Sequence, residues 1–278
     1  MNVLKISAFT DGNTGGNPAG IWIGDAFPSD LEMQSIAKEI GYSETVFACS
    51  TPQGWRVRYF SPESEVPFCG HATIALGAAL ALRQGDGTYH LILNQSKITV
   101  EGRKKGDVIS AVLQSPPTHS KTADLQLVSA VLELFGFTED DLDQRIQPAL
   151  AHAGADHLVL VLKTREALAS MNYNLEAGRS LMNREGLVTI LLAYIETPQL
   201  FHTRNAFAYG GVYEDPATGA ATAALAGYLR DIGWPHGGVI DIVQGEDMGM
   251  RSCLKAEISP LQGESIRVSG TARIIHTL

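Results

Sequence analysis

Two twelve-residue stretches of the chain, EVPFCGHATIAL (Glu65–Leu76) and EDPATGAATAAL (Glu214–Leu225), align without a gap. Glu65 meets Glu214, Pro67 meets Pro216, Gly70 meets Gly219, Ala72-Thr73 meets Ala221-Thr222, and Ala75-Leu76 meets Ala224-Leu225. Small residues match cheaply, but the Glu-x-Pro-x-x-Gly spacing does not, and the pattern identifies an internal duplication. Each copy runs from a proline-containing turn through a glycine into an uncharged segment, His71 to Leu82 in one and Ala220 to Leu229 in the other. A helix that is apolar all round must be buried on all sides. Segments this short cannot span a membrane, which needs about 20 apolar residues. The expected fold is therefore a strand-rich shell around one central helix, built twice.

The rest of the chain supplies the shell. VLKISAF, GIWIG, TVFAC, WRVRYF, HLILN, KITVE and VISAVL in the first part, and HLVLVL, LVTILLAYI, GGVIDIV, CLKAEI, SIRVSG and ARIIHTL in the second, read as strands. Several alternate apolar with polar residues, the period of a half-buried strand. Ser29-Asp30-Leu31-Glu32 reads as a capping box opening a helix that stops at Gly41, and LQLVSAVLELFG as another helix. The pair Pro116-Pro117 in LQSPPTHSK is expected to end a strand and mark a boundary. That places an N-terminal lobe at 1–116 and a C-terminal lobe at 117–278, with the last strand, about 265–276, free to return to the first lobe.

Composition narrows the partners. A net charge of −9 and a pI near 5.3 do not suit nucleic acid or an anionic membrane. Arg103-Lys104-Lys105, flanked by glycines, reads as the tip of a hairpin. The N-terminal residues carry no apolar leader, so the expected location is the cytoplasm. Three scattered cysteines, Cys49, Cys69 and Cys253, fit reduced thiols.

Each buried helix begins with unpaired backbone N–H groups and the positive end of its dipole. Glycine there lets a ligand approach the backbone. Gly70 and Gly219 are thus candidate anion-binding positions; the plainer alternative is a pair of structural helices whose ends cap themselves. His152 and His157 are five apart and have no cysteine or acidic cluster beside them. No metal site is expected, and no P-loop, G-x-G-x-x-G or G-x-S-x-G is present.

GNPAG (16–20), YSETVF (42–47), VPFCGHAT (66–73), EDPATGAA (214–221) and, more weakly, VSGTARII (268–275) occur in one order along nearly the whole chain. In these motifs the sequence resembles the PhzF-like (phenazine biosynthesis) family. The resemblance implies an α+β fold of the diaminopimelate-epimerase type: two pseudo-symmetric lobes, each a barrel-like, mostly antiparallel sheet around a central helix, with the active site between them. It implies Glu44, His71 and Asp215 as catalytic residues and Asn17, Gly70, Gly219 and Ala220 as substrate-binding ones. Ala220 stands where the family often has serine, so one hydroxyl is missing. Related epimerases use a cysteine from each lobe, but the repeat partner of Cys69 is Thr218. A two-cysteine racemase is thereby disfavoured, and Cys69 reads as a buried packing residue.

The implied function is a cofactor-independent isomerase that moves a proton between carbons of a small carboxylate by general acid/base catalysis. The partner is that small molecule, with a homodimer expected from the resemblance. The alternatives are a catalytically silent binding protein of the same fold and an amino-acid epimerase.

Overall fold

The structure is a computed structural model and describes residues 3–275. Residues 276–278, the end of the run ARIIHTL, lie outside it. Contacts divide the chain into two compact units, Met1–Gln114 with Ser269–Leu278, and Ser115–Val268.

In the first unit the order is β1 (Leu4–Ala8), β2 (Asn17–Gly24), α1 (Asp30–Ile40), β3 (Glu44–Thr51), β4 (Gly54–Phe60), β5 (Glu65–Val66), α2 (Gly70–Gln84), β6 (Gly87–Ile92), β7 (Lys97–Lys105) and β8 (Val108–Pro117). The second continues with β9 (His119–Thr122), α3 (Leu125–Phe135), β10 (Ala149–His152), β11 (Asp156–Leu162), α4 (Arg165–Ala169), α5 (Leu175–Glu185), β12 (Thr189–Thr197), β13 (Leu200–Phe207), β14 (Val212–Asp215), α6 (Gly219–Asp231), β15 (Val239–Gln244) and β16 (Ser252–Glu257). The last strand, β17 (Ser265–Ile274), runs from one unit into the other.

The duplication is visible in the strand pairing. In the first unit β1–β2 is antiparallel, β2–β3 parallel, β3–β4 antiparallel, β4–β6 parallel and β6–β7 antiparallel. In the second, β10–β11, β11–β12, β12–β13, β13–β15 and β15–β16 repeat that alternation in the same order. Parallel neighbours need a crossover connection, usually helical. Here α1 joins β2 to β3 and α2 lies between β4 and β6, while α4 and α5 join β11 to β12 and α6 lies between β13 and β15. The sheet also returns on itself: β7 pairs with β8, β8 with β17, and β17 with β1.

Inside, α2 packs against β1, β2, β3, β6 and β7, and every residue from Gly70 to Ala81 is buried. The approach to β7 is closest at Gly77 and Gly102, where a Cβ on Gly102 would lie 2.2 Å from the Gly77 carbonyl oxygen. In the second unit α6 packs against β9, β10, β11 and β16, with Gly227 pressed on Thr118. The amphipathic helices cover outer faces instead. Met33 and Ala37 of α1 pack on Phe47 and Phe60. Leu127 and Val131 of α3 and Met182 of α5 join Leu158, Leu160, Ile190 and Leu192 in a larger cluster.

The expected cap of α1 is present: Ser29 and Glu32 form a capping box, and Gly41 ends the helix in the left-handed conformation. Arg103-Lys104-Lys105 finish β7 beside the turn into β8, with Lys105 opposite Val108. The expected strand end is present at the proline pair: Pro116 and Pro117 are the last two residues of β8. The strand tolerates them at its end because a side chain enters the hydrogen bonding. The Ser115 hydroxyl accepts the Ile266 amide at 3.0 Å and donates to the Pro116 carbonyl at 2.7 Å. SIRVSG and ARII, read as separate runs, form one strand, β17.

Candidate active site

Glu44 reaches its place because α1 stops abruptly. The left-handed Gly41 turns the chain, and Glu44 enters β3 opposite Ala19 at the head of six consecutive buried residues. Glu44 is itself 6% exposed, and its Oε2 is buried without a hydrogen-bond partner. Such an atom is costly in a folded chain, and its presence needs an explanation. Oε2 lies 3.4 Å from Nε2 of His71, which is also buried. The Ser43 hydroxyl is 3.4 Å from the same nitrogen.

His71 belongs to the first turn of α2, whose N-cap is Cys69 and has no side-chain cap. The other face of the imidazole meets Cys69, with Sγ 3.3 Å from Nδ1. Glu44, Cys69 and His71 thus offer one ligand-type atom each, all within 4.8 Å of one another. Cys69 is therefore more than packing: the thiol borders the imidazole. The turn is held from below. Tyr59 donates to the Thr73 hydroxyl at 2.7 Å, and Thr73 donates to the Cys69 carbonyl at 2.7 Å. Burial pushes the Tyr59 phenol well above its ordinary range, so it remains a donor.

Asn17 begins β2 opposite Ala8 and is 1% exposed. The glycine before it is obligatory, because at φ +81 a Cβ on Gly16 would lie 2.6 Å from the Ala8 carbonyl oxygen.

The second unit contains the corresponding helix start. Asp215 ends β14 and accepts the Thr218 hydroxyl at 2.6 Å. Thr218 is the N-cap of α6, again with no side-chain cap, and Gly219 and Ala220 open the helix. Gln244, at the end of β15, staples this turn. Its Oε1 accepts the Thr218 amide at 3.1 Å, and its Nε2 donates to the Thr218 hydroxyl at 3.0 Å and to the Asp215 carbonyl at 2.6 Å. Uncapped helix starts expose N–H groups and a positive dipole end, the chemistry of an anion site.

The repeated glutamates have a structural role. Glu65 lies opposite Phe60, and Arg58, two residues back on the same strand, donates to both its oxygens at 2.8 and 2.6 Å. Glu214 lies opposite Ala206, and Arg204, two residues back, makes the same two-point contact at 3.0 and 2.5 Å. Each pair fixes the short strand that leads to a central helix. The arginines are not aligned in the sequence repeat, because the hairpin in the second copy is longer; the retained Glu was the only visible sign.

The structure therefore brings Glu44 and His71 together in the first unit and places Asp215, Gly219 and Ala220 in one turn of the second. Ser43, Tyr59, Thr73 and Gln244 were missed, since none belongs to the duplicated motif except Thr73, which had read only as a small residue.

The profile of the PhzC-PhzF family, described as phenazine biosynthesis-like protein, matches residues 6–277. The chain belongs to this family. A Bacillus subtilis protein named uncharacterized isomerase YfhB is 28% identical over 97% of this chain and 95% of its own length. The trans-2,3-dihydro-3-hydroxyanthranilate isomerase of Pseudomonas fluorescens is 29% identical over 97% and 95%. Among solved structures, a Bacillus anthracis PhzF-family protein superposes with a TM-score of 0.84 at 23% identity, covering 99% of this chain and 96% of its own. At that identity the match shows the fold alone. The PhzC-PhzF relatives are named isomerases, and this chain is an enzyme of that class.

Proposed function

We propose that the chain is a cofactor-independent isomerase that moves a proton between carbons of a small carboxylate-bearing substrate. Glu44 is the general base. Its carboxylate takes the proton from a C–H bond, the electron pair shifts into the substrate, and the resulting acid returns the proton to a different carbon. A carboxylate oxygen with no hydrogen-bond partner is free to accept that proton, and exchange of the resulting acid with D₂O before the return step marks the receiving carbon with deuterium. His71 donates to the substrate oxygen on which charge develops. Asp215 orients an amine or hydroxyl, and amides near Gly70, Gly219 and Ala220, together with Asn17, hold the acid group.

The observation that carries this reading is Glu44 Oε2, buried without a hydrogen-bond partner and 3.4 Å from His71 Nε2. It has the position of a group awaiting a substrate proton. A screen of small amino and hydroxy carboxylates with the purified protein in D₂O tests it. Deuterium at a carbon other than the one deprotonated identifies an isomerase. Exchange with inversion at a single carbon identifies an epimerase, and no deuterium on carbon for any member leaves a binding protein.

A further inference from the structure

Glu44, Cys69 and His71 are a carboxylate, a thiol and an imidazole, all buried, with their ligand atoms within 4.8 Å of one another. Proton transfer at Glu44 does not require the thiol. We propose that this trio is a zinc site whose occupation switches the enzyme off.

For the imidazole and the carboxylate, the separation is what zinc demands. With Zn–N near 2.05 Å, Zn–O near 2.0 Å and Zn–S near 2.3 Å, tetrahedral bonding sets N···O about 3.3 Å and N···S about 3.6 Å apart. The observed His71 Nε2 to Glu44 Oε2 separation is 3.4 Å. Cys69 Sγ lies 4.0 Å from the same nitrogen and 3.3 Å from Nδ1. The thiol now lies nearer Nδ1 than Nε2, so ligation at Nε2 requires the Cys69 side chain to swing toward Glu44, after which three corners of a tetrahedron are filled and a water molecule or substrate oxygen would take the fourth.

Two further observations point to a ligand. Glu44 Oε2 is buried with no hydrogen-bond partner, so a cation bound there relieves an existing penalty. The ligand set also selects the metal. Thiolate with imidazole favours Zn²⁺ over Mg²⁺ or Ca²⁺, which take oxygen ligands. Binding requires the Cys69 thiol to lose its proton to solvent, while the imidazole binds neutral and the carboxylate ionised. A bound ion occupies the Glu44 oxygen and the His71 nitrogen. If Glu44 is the base, the loaded enzyme cannot turn over.

Binding is measured without substrate, so it stands or falls separately from the isomerase assignment. Metal-free protein is titrated with Zn²⁺ against a chromogenic chelator, and Co²⁺ is used as a spectroscopic probe of thiolate ligation. The expected result is one Zn²⁺ per chain and a thiolate-to-Co²⁺ charge-transfer band. Cys69→Ser should lose the band and bind Zn²⁺ at least about tenfold more weakly. Glu44→Gln, which keeps the thiol and the shape, should also weaken Zn²⁺ and covers the case in which Cys69→Ser fails to fold. Cys49→Ser, Cys253→Ser and His152→Ala should bind as wild type; the last removes the surface His119–His152 stack as a competing site. Absence of stoichiometric binding, or binding that survives both Cys69→Ser and Glu44→Gln, overturns the proposal.

Discussion

Replacing Glu214 with alanine should destabilise the protein far more than replacing its repeat partner Glu65. Both carboxylates take a two-point contact from an arginine on the neighbouring strand, but their surroundings differ. The Arg204 and Glu214 side chains are 9% and 3% exposed, and Arg204 also donates to the Ala169 carbonyl at 2.8 Å. Removing Glu214 leaves a guanidinium buried without its counter-charge, and breaking such a pair costs about 3–5 kcal/mol. The Arg58 and Glu65 side chains are 17% and 26% exposed, and Arg58 keeps Asp30 as a second partner at 2.6 Å. Water and Asp30 can take over there, so Glu65→Ala should cost about 1 kcal/mol. Urea denaturation of the two variants measures the difference. The double variant Arg204→Met/Glu214→Leu should recover much of the loss, because an apolar pair leaves no buried charge unpaired. If Glu214→Ala costs no more than Glu65→Ala, the pair does not hold the turn into α6.

Gly102→Ala places a Cβ 2.2 Å from the Gly77 carbonyl, a backbone atom that cannot turn aside, and should cost about 1–3 kcal/mol in urea denaturation. Gly87→Ala meets nothing closer than 3.8 Å and should stay within about 0.5 kcal/mol. His157 is fully buried, donates through Nδ1 to Thr189 at 2.8 Å, and is pushed by burial down to about 4. Its unfolded form protonates near its ordinary value of 6.5 and its folded form only near 4. The stability it protects is therefore full above pH 6.5 and declines as pH falls toward 4, by on the order of 3 kcal/mol. In His157→Asn, which keeps a donor near Nδ1, stability measured across that window should lose this part of its slope.

The fold was legible where the sequence repeats itself. The segments His71 to Leu82 and Ala220 to Leu229, which follow the repeated turn, predict two buried helices because neither contains a charge, and α2 and α6 are buried along most of their lengths. The capping box of α1 was equally readable, being a local hydrogen-bond pattern. Strand β13 (LFHTRNAF) was missed because His202, Arg204 and Asn205 break the apolar alternation. Those polar residues are partnered by side chains distant in sequence, Arg204 by Glu214 and Asn205 by Thr189. Helix α5 was missed because most of its residues are polar, with only Gly178, Leu181 and Met182 buried. Of the candidate site, Glu44 and His71 were named from their motifs. Gln244 carries no local signal, since its amide matters only once β15 lies beside the Thr218 turn. Cys69 has no second thiol opposite it in the repeat, and its neighbour in the fold is the His71 imidazole, a pairing that the motif alone does not reveal.

The most direct test of the account is the turnover of Glu44→Gln in D₂O on whichever substrate the carboxylate screen identifies. Glutamine keeps the size of the side chain but cannot accept a proton. The variant should fold, bind the substrate, and transfer deuterium to carbon about 10²–10⁴-fold more slowly than wild type. Deuterium incorporation at the wild-type rate would show that Glu44 is not the base.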